Sequence, residues 1–152
     1  MGAKQRLRDL NIELPEVPAP VGNYIGAVQV DKLVFLSGHG PRLPDGSNVT
    51  GKVGDALSLE EGQGAARLVG LNMLATLRAA IGDLDRVRRV VKVLGMVNAA
   101  PDFEQHPKVI NGFSDLMVEI FGENGRGARS AVGMGSLPFQ IAVEVEMIVE
   151  LE

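Results

Sequence analysis

The chain contains no cysteine. This absence excludes disulfide bonds, thiol nucleophiles and thiolate metal sites, and it is typical of proteins in a reducing compartment. No apolar run reaches the ~18 residues that a membrane-spanning helix needs. Residues 1–9 are charged and lack the apolar segment of a secretory signal. We therefore expect a cytoplasmic protein without a membrane partner.

Histidine is also scarce, and acidic residues outnumber basic ones. The two histidines, His39 and His106, lie far apart in sequence, and no third ligand is spaced to complete a metal site with them. No phosphate-binding loop or Ser-His-Asp set is present, so we predict neither a metal nor an organic cofactor. The formal net charge of −4 argues against a nucleic-acid surface held by bulk charge.

The 152 residues suit one domain with a hydrophobic core. Three prolines between residues 13 and 20 remove backbone donors and fix φ, so this stretch is predicted to be an extended lead-in. We interpret residues 1–18 as an N-terminal extension, with a turn or two of helix at residues 3–11. Residues 19–152 form the predicted single domain.

Short β-rich runs and two helical patterns alternate along this domain. Ser58 and Glu61 form a capping box that begins the first helix, and Gly82 ends it. Apolar residues at helical spacing predict the second helix between residues 109 and 121. The predicted strands are residues 24–30, 33–37, 49–53, 87–97 and 137–151. The order β-β-(β)-α-β-α-β predicts an α+β fold, with two helices packed on one face of a mixed, mainly antiparallel sheet.

The last predicted strand separates two kinds of side chain. From residue 139 onward, apolar and polar residues alternate, which indicates a strand with one face on a core. Glu144 lies on the other face, together with Ala142 and Ile148. One layer of helices covers only one face of a sheet, so the opposite face needs a partner if Ala142 and Ile148 are to be buried. This pattern alone predicts an oligomer.

A functional interpretation depends mainly on Arg129 and Glu144. Arg129 stands in a run of glycine and small residues just before that strand, where its planar charged fork matches a carboxylate or a phosphate. Spacing alone favours a surface or interface ion pair for Arg129. For Glu144 the corresponding alternative is an outward polar residue on a strand.

These residues also carry a resemblance to a known family. The runs at residues 127–132, 137–138 and 143–146 are similar to the C-terminal signature of the RidA/YjgF family. Further blocks that resemble the family in the same order are residues 22–24, 36–41, 97–99 and 102–103. The resemblance covers residues 19–151. It implies a chorismate-mutase-like fold assembled as a homotrimer, with sites in the clefts between subunits.

The resemblance also implies an activity, the hydrolytic deamination of reactive enamines or imines to 2-keto acids and ammonia. The substrates would be of the 2-aminoacrylate or 2-iminobutyrate type. Arg129 would hold the substrate carboxylate, and Glu144 would position a water or shuttle a proton. The other residues that the resemblance places around the ligand are Tyr24, which closes the site from a neighbouring subunit, Ser37, Gly38, His39, Asn111 and Ala131. The alternatives are a plain turn for Ser37 and Gly38 and a helix cap for Asn111.

Two departures from the family pattern indicate a divergent subgroup. Ala131 stands where many members have cysteine, and Gly127 stands where the family usually has proline. These departures favour a second hypothesis, a binding protein that holds a small keto acid or amino acid without turnover.

A third hypothesis, an RNA-directed activity, is opposed by the net negative charge, the single tyrosine and the absence of a histidine pair.

Overall fold

Three helices and five strands follow one another along the chain, and the computed structural model describes all of it, Met1–Glu152. The helices are α1 (Ala3–Asp9), α2 (Leu59–Ile81) and α3 (His106–Phe121). The strands are β1 (Ala27–Val30), β2 (Leu33–His39), β3 (Val87–Asn98), β4 (Ala128–Met134) and β5 (Val143–Leu151). None of the helices is both long and apolar enough to cross a membrane.

The five strands form one sheet in the order β1-β2-β5-β3-β4. Three of the neighbouring pairs are antiparallel, and only β3 and β4 run parallel. The helices cover one face, where Val143, Val145 and Met147 of β5 are buried in the main core. We call the opposite face the open face. The predicted α+β class, with helices on one face of a mixed, mainly antiparallel sheet, is confirmed.

The two long helices pack tightly against each other. The Ser58 hydroxyl accepts a hydrogen bond from the Glu61 amide, and the Glu61 carboxylate accepts one from the Ser58 amide, both at 3.1 Å. This is the predicted capping box at the start of α2. A Cβ added at Gly70 would lie 2.8 Å from Leu116 of α3. The glycine therefore allows the close approach of α2 and α3.

The strand assignments differ from the prediction near the C-terminus. The glycine-rich run before the last predicted strand is itself a strand, β4, on the edge of the sheet. The last strand begins at Val143 rather than at residue 137. Phe139 and Gln140 have positive φ angles of 56° and 57° in a short 3-10 turn, which no strand tolerates. The predicted brief strand at residues 49–53 makes only isolated bridges.

Two further features complete the core. Ala142 is fully buried in the main core of this chain, and its amide donates to the carbonyl of Val49. Its burial therefore requires no partner, contrary to the prediction. Helix α1 begins the segment predicted as an extension, and its Ala3 and Leu7 are buried in the main core. The guanidinium of Arg6 donates to the carbonyl of Glu119 near the end of α3. The domain boundary at residue 18 stays a prediction.

Candidate active site

Glu144 lies near the start of β5 on the open face, beside the end of β2. Its carboxyl group is half-buried, and a Cβ added at Gly38 would lie only 3.0 Å from the Glu144 carboxyl carbon. A side chain at position 38 would force the Glu144 carboxyl group to shift by a few tenths of an ångström. The absence of a side chain at Gly38 therefore makes room for the Glu144 carboxyl group.

The ionisation of Glu144 is perturbed by this position. Burial raises the pKa of the Glu144 carboxyl above its usual value of 4.5, and the nearby charge of Glu146 raises it further. Both causes act in the same direction, since each one disfavours the negatively charged form. A carboxyl group with a raised pKa is better matched to accept and return a proton near neutral pH.

A cleft of about 540 Å³ opens in front of Glu144. It brings together four residues of the predicted site, Tyr24, Ser37, Gly38 and Glu144. Phe139 also lines this cleft and is 71% exposed. The positive φ of Phe139 places its ring at the cleft rather than in the core, which the strand pattern did not predict.

The hydroxyl groups of Tyr24 and Ser37 have defined partners. The Ser37 hydroxyl donates to the carbonyl of Ile25 at 2.6 Å, and the Tyr24 hydroxyl accepts from the amide of Val21 at 3.4 Å. The first contact ties the loop before β1 to β2, and the second closes a turn within that loop. Tyr24 is about half exposed, so its ring is free to meet a ligand or a second subunit.

Arg129 projects from β4 toward α3. One terminal nitrogen of its guanidinium donates to Asn111 Oδ1 at 2.8 Å and to Ser114 Oγ at 3.2 Å, and the other donates to the carbonyl of Pro107 at 3.4 Å. None of the four ion pairs in the chain includes Arg129. The guanidinium is thus oriented by neutral acceptors while its positive charge remains uncompensated, which suits the binding of an anion.

The register of the sheet places Arg129 and Glu144 on opposite faces. Val93 of β3 pairs with Arg129 of β4 and with Met147 of β5, so all three side chains project to the helix-covered face. Met96 of β3 pairs with Val132 of β4 and with Glu144 of β5, so these three project to the open face. The two strands are also separated by two interstrand spacings, about 10 Å. One chain therefore cannot present both side chains to one small substrate.

The predicted site residues accordingly fall into two groups. Tyr24, Ser37, Gly38 and Glu144 surround the cleft on the open face. Arg129 and Asn111 meet at β4 and α3, and Ala131 belongs to the same face because it pairs with Gly95, against which Ile110 of α3 packs. Asn111 lies inside α3 rather than at its end, so it is not a helix cap.

The family model described as "YjgF/chorismate mutase-like, putative endoribonuclease" matches residues 4–151. The chain belongs to this family. Protein TCP17 of Trypanosoma cruzi is 46% identical over 95% of this chain and 91% of its own length. A 2-iminobutanoate/2-iminopropanoate deaminase of Dermatophagoides farinae is 34% identical over 93% of this chain and 95% of its own. The crystal structure of protein Atu1372 of Agrobacterium tumefaciens is similar, with a TM-score of 0.89 and 41% identity over 99% of this chain and 94% of that one.

In this YjgF-family chain, His39 turns away from Glu144. The pairing of β2 with β5 shifts by one residue between Leu36 and His39, so the ring of His39 lies on the helix-covered face. There Nδ1 lies 2.6 Å from the carbonyl of Ser37, and Nε2 lies 2.8 Å from the hydroxyl of Thr76. His39 therefore supports the backbone beside Gly38, and both of its ring nitrogens are occupied.

The buried position of His39 leads to a pH-dependent stability. Burial lowers the pKa of His39 from its usual 6.5, against the opposing effect of the Ser37 carbonyl. The unfolded chain then binds a proton that the folded chain does not, so the free energy of unfolding is expected to fall as the pH drops below 6.5. Urea unfolding of wild type and His39→Gln between pH 5 and pH 8 measures this dependence of the free energy of unfolding on pH. If the variant lost as much stability below pH 6.5 as wild type does, His39 would not be its cause.

Two residues that contact the predicted site residues were not predicted from the sequence. Ser114 holds Arg129 from α3, and Thr76 holds His39 from α2. Ser114 lies one helical turn after Asn111, so the helical periodicity places both on one face. That signal was present in the sequence. The Thr76 contact depends on the shift in β2, for which the sequence offers no local sign.

Proposed function

We propose that the protein is a hydrolytic deaminase of reactive enamines or imines derived from amino acids, and that it produces 2-keto acids and ammonia. The observation that carries this proposal is the Glu144 carboxyl group, half-buried in an open cleft with a raised pKa. The 34% identity with a 2-iminobutanoate/2-iminopropanoate deaminase supports the same reaction. The substrates are of the 2-aminoacrylate and 2-iminobutyrate type.

The proposal includes a homotrimer, in which each site combines Glu144 of one subunit with Arg129 of its neighbour. The opposite orientations of these two side chains within one chain support a shared site. The open face also carries apolar side chains without cover, since Val28 and Phe35 are 47% and 42% exposed, and Ile148 lies beside them. Apolar patches of this kind mark interaction surfaces, and trimeric assembly would cover them.

The reaction requires two proton transfers. In the first step the ionised Glu144 accepts a proton from water while the water oxygen bonds to the imine carbon. The proton passes to the imine nitrogen, and the C=N double bond becomes a C–N single bond. In the second step Glu144 moves the new hydroxyl proton to the nitrogen, the C–N bond breaks, ammonia leaves and the keto group forms. An enamine first takes a proton at its terminal carbon and releases one N–H proton to water, which makes it the imine.

The neighbour's Arg129 would contribute positioning rather than proton transfer. Its guanidinium would hold the substrate carboxylate, with Asn111 and Ser114 fixing its orientation. Such imines already hydrolyse in water, so the enzyme needs only to orient the substrate and supply a positioned base. Neither role depends on a cysteine, and Ala131 is compatible with both.

A coupled assay tests the proposal. An amino-acid oxidase generates the imine in place, and semicarbazide traps the fraction that has not been hydrolysed. Wild-type protein is expected to lower the yield of trapped imine in proportion to its concentration. A yield equal to that of the enzyme-free control across several neutral and acidic amino acids would refute the deaminase, and the protein would then be a binder of small carboxylates.

The close contact of Gly38 with Glu144 gives a sharper test. In Gly38→Ala the added methyl group would lie 3.0 Å from the carboxyl carbon and shift it by a few tenths of an ångström. We expect kcat to fall about 3- to 10-fold, because small displacements of a catalytic group cost rate. Gly64→Ala is the matched control, since nothing lies within 4 Å of its added Cβ. Equal activity of the two variants would contradict the role of Gly38.

A further inference from the structure

A second cleft, of about 340 Å³, adjoins the one in front of Glu144. The two clefts share six lining residues, which are Val21, Tyr24, Gly38, Gly40, Asn48 and Phe139. They therefore form one continuous groove along the end of β2. Glu144 lies in one half, and Arg42 lies in the other.

Arg42 and Asn48 line this groove with polar side chains that have no partner within the chain. The two residues form an isolated antiparallel bridge, and residues directly opposite in such a bridge project to the same side. Both line the second cleft and are partly buried. Neither side chain makes a hydrogen bond, and none of the four ion pairs includes Arg42. The guanidinium nitrogens of Arg42 are accessible to solvent, so an anion in the groove can reach them.

The backbone around Arg42 is fixed in place. The buried amide of Asn72 on α2 donates to the carbonyls of Gly40 and Arg42, at 3.2 and 3.1 Å. Within the hairpin that the bridge between Arg42 and Asn48 closes, the Leu43 amide donates to the carbonyl of Ser47 at 2.7 Å. These bonds hold the hairpin against the core. The guanidinium of Arg42 therefore starts from a rigid base, which lowers the entropic cost of binding an anion.

We propose that Arg42 and Asn48 form a subsite for a second carboxylate, so that the preferred substrate is the imine of a dicarboxylic amino acid. This inference rests on the proposed deaminase function and names its substrate class. The α-carboxylate lies on the neighbour's Arg129, the imine carbon lies at Glu144, and the side chain follows the groove past Tyr24 to Arg42. One guanidinium and one neutral amide suit a singly charged, planar carboxylate.

Turnover of two imines tests the substrate class. We compare 2-iminosuccinate, generated from D-aspartate by an oxidase, with 2-iminopropanoate, generated from D-alanine. Arg42→Gln is expected to lower kcat/KM for 2-iminosuccinate about 10- to 100-fold, the typical value of a charged hydrogen bond, and to change that for 2-iminopropanoate less than about 3-fold. Arg78→Gln, which removes an exposed arginine on α2, should alter neither. Equal losses on both imines, or none on either, would overturn the proposal.

A binding measurement separates this inference from the deaminase proposal. Succinate, butyrate and inorganic phosphate are titrated into wild type and Arg42→Gln by calorimetry. We expect succinate to bind at least about 10-fold more tightly than butyrate, and only succinate binding to weaken in the variant. This result without turnover of either imine would refute the deaminase and retain the subsite. Phosphate that binds as tightly as succinate, with equal dependence on Arg42, would indicate a general anion site and overturn the inference.

Discussion

An equimolar mixture of Arg129→Ala and Glu144→Ala chains, refolded together, is expected to recover about a quarter of the wild-type deaminase activity. Each variant alone should be nearly inactive. Loss of the guanidinium removes charged hydrogen bonds to the substrate carboxylate and should lower kcat/KM about 100- to 1000-fold. Recovery on mixing is expected because Arg129 and Glu144 project from opposite faces of the sheet, so a site must draw them from two chains.

The size of the recovery follows from random assortment. A shared site works when one subunit supplies an intact Arg129 and its neighbour supplies an intact Glu144. In an equimolar mixture each condition holds for half of the chains, so about one site in four is complete. If both residues came from one chain, no mixture of these two variants would be active.

A second mixture provides the control. Wild type is refolded with an equal amount of the double variant that lacks both Arg129 and Glu144. Shared sites predict about a quarter of the wild-type activity, whereas sites contained in one chain predict about half. Sedimentation of each mixture reports the mass of the assembly. A particle of one subunit with full activity would refute both the trimer and the shared site.

The sequence predicted the core of this fold well, because period and burial are locally encoded. Alternation along β5 correctly separated Val145 and Met147, which are buried, from Glu144. The capping box at Ser58 likewise marked the start of α2. In each case one short stretch contains the whole pattern, and the apolar face of the element packs into the main core.

The edge strand β4 was not predicted, because its own sequence lacks the alternating pattern that indicates a strand. Its side chains alternate between Arg129 and Ala131 on one face and Ser130 and Val132 on the other, with no clear apolar row. β4 is paired on one side only, with β3, which lies more than 30 residues earlier. Its conformation is thus set by a distant partner rather than by local propensity.

The candidate site was predicted residue by residue but not in its geometry. The sequence and the family resemblance indicated Arg129, Glu144 and Tyr24, yet the face on which a side chain lies depends on register. One extra residue in β2 between Leu36 and His39 is enough to move His39 to the helices and to leave Gly38 beside Glu144. Such a shift leaves no mark in composition or periodicity.

Glu144→Gln is expected to lower kcat about 100- to 10,000-fold while KM changes less than about 3-fold. Glutamine keeps the size of the side chain and can still orient a water, but it cannot accept the proton. The wild-type kcat should fall as the pH drops through the raised pKa of Glu144, at a pH above the usual 4.5. Steady-state rates between pH 4 and pH 9 measure both effects.

Glu144→Gln is expected to lower activity without lowering the stability of the folded protein. Since the pKa of Glu144 is raised in the folded protein, the folded chain binds more protons than the unfolded chain between the two pKa values. The ionised carboxyl group therefore destabilises the fold as the pH rises through that window. At neutral pH, Glu144→Gln should unfold at the same or a higher urea concentration than wild type, so that a loss of activity cannot come from unfolding.

Glu146→Gln is the matched control, because it removes a neighbouring carboxylate on the same strand. The negative charge of Glu146 contributes to the raised pKa of Glu144, so its removal should shift the acidic fall of kcat to lower pH and leave the plateau near the wild-type rate. If Glu144→Gln retained the wild-type plateau, Glu144 would not be the base. If both variants lost the plateau equally, the negative charge of the cleft rather than proton transfer by Glu144 would account for the rate.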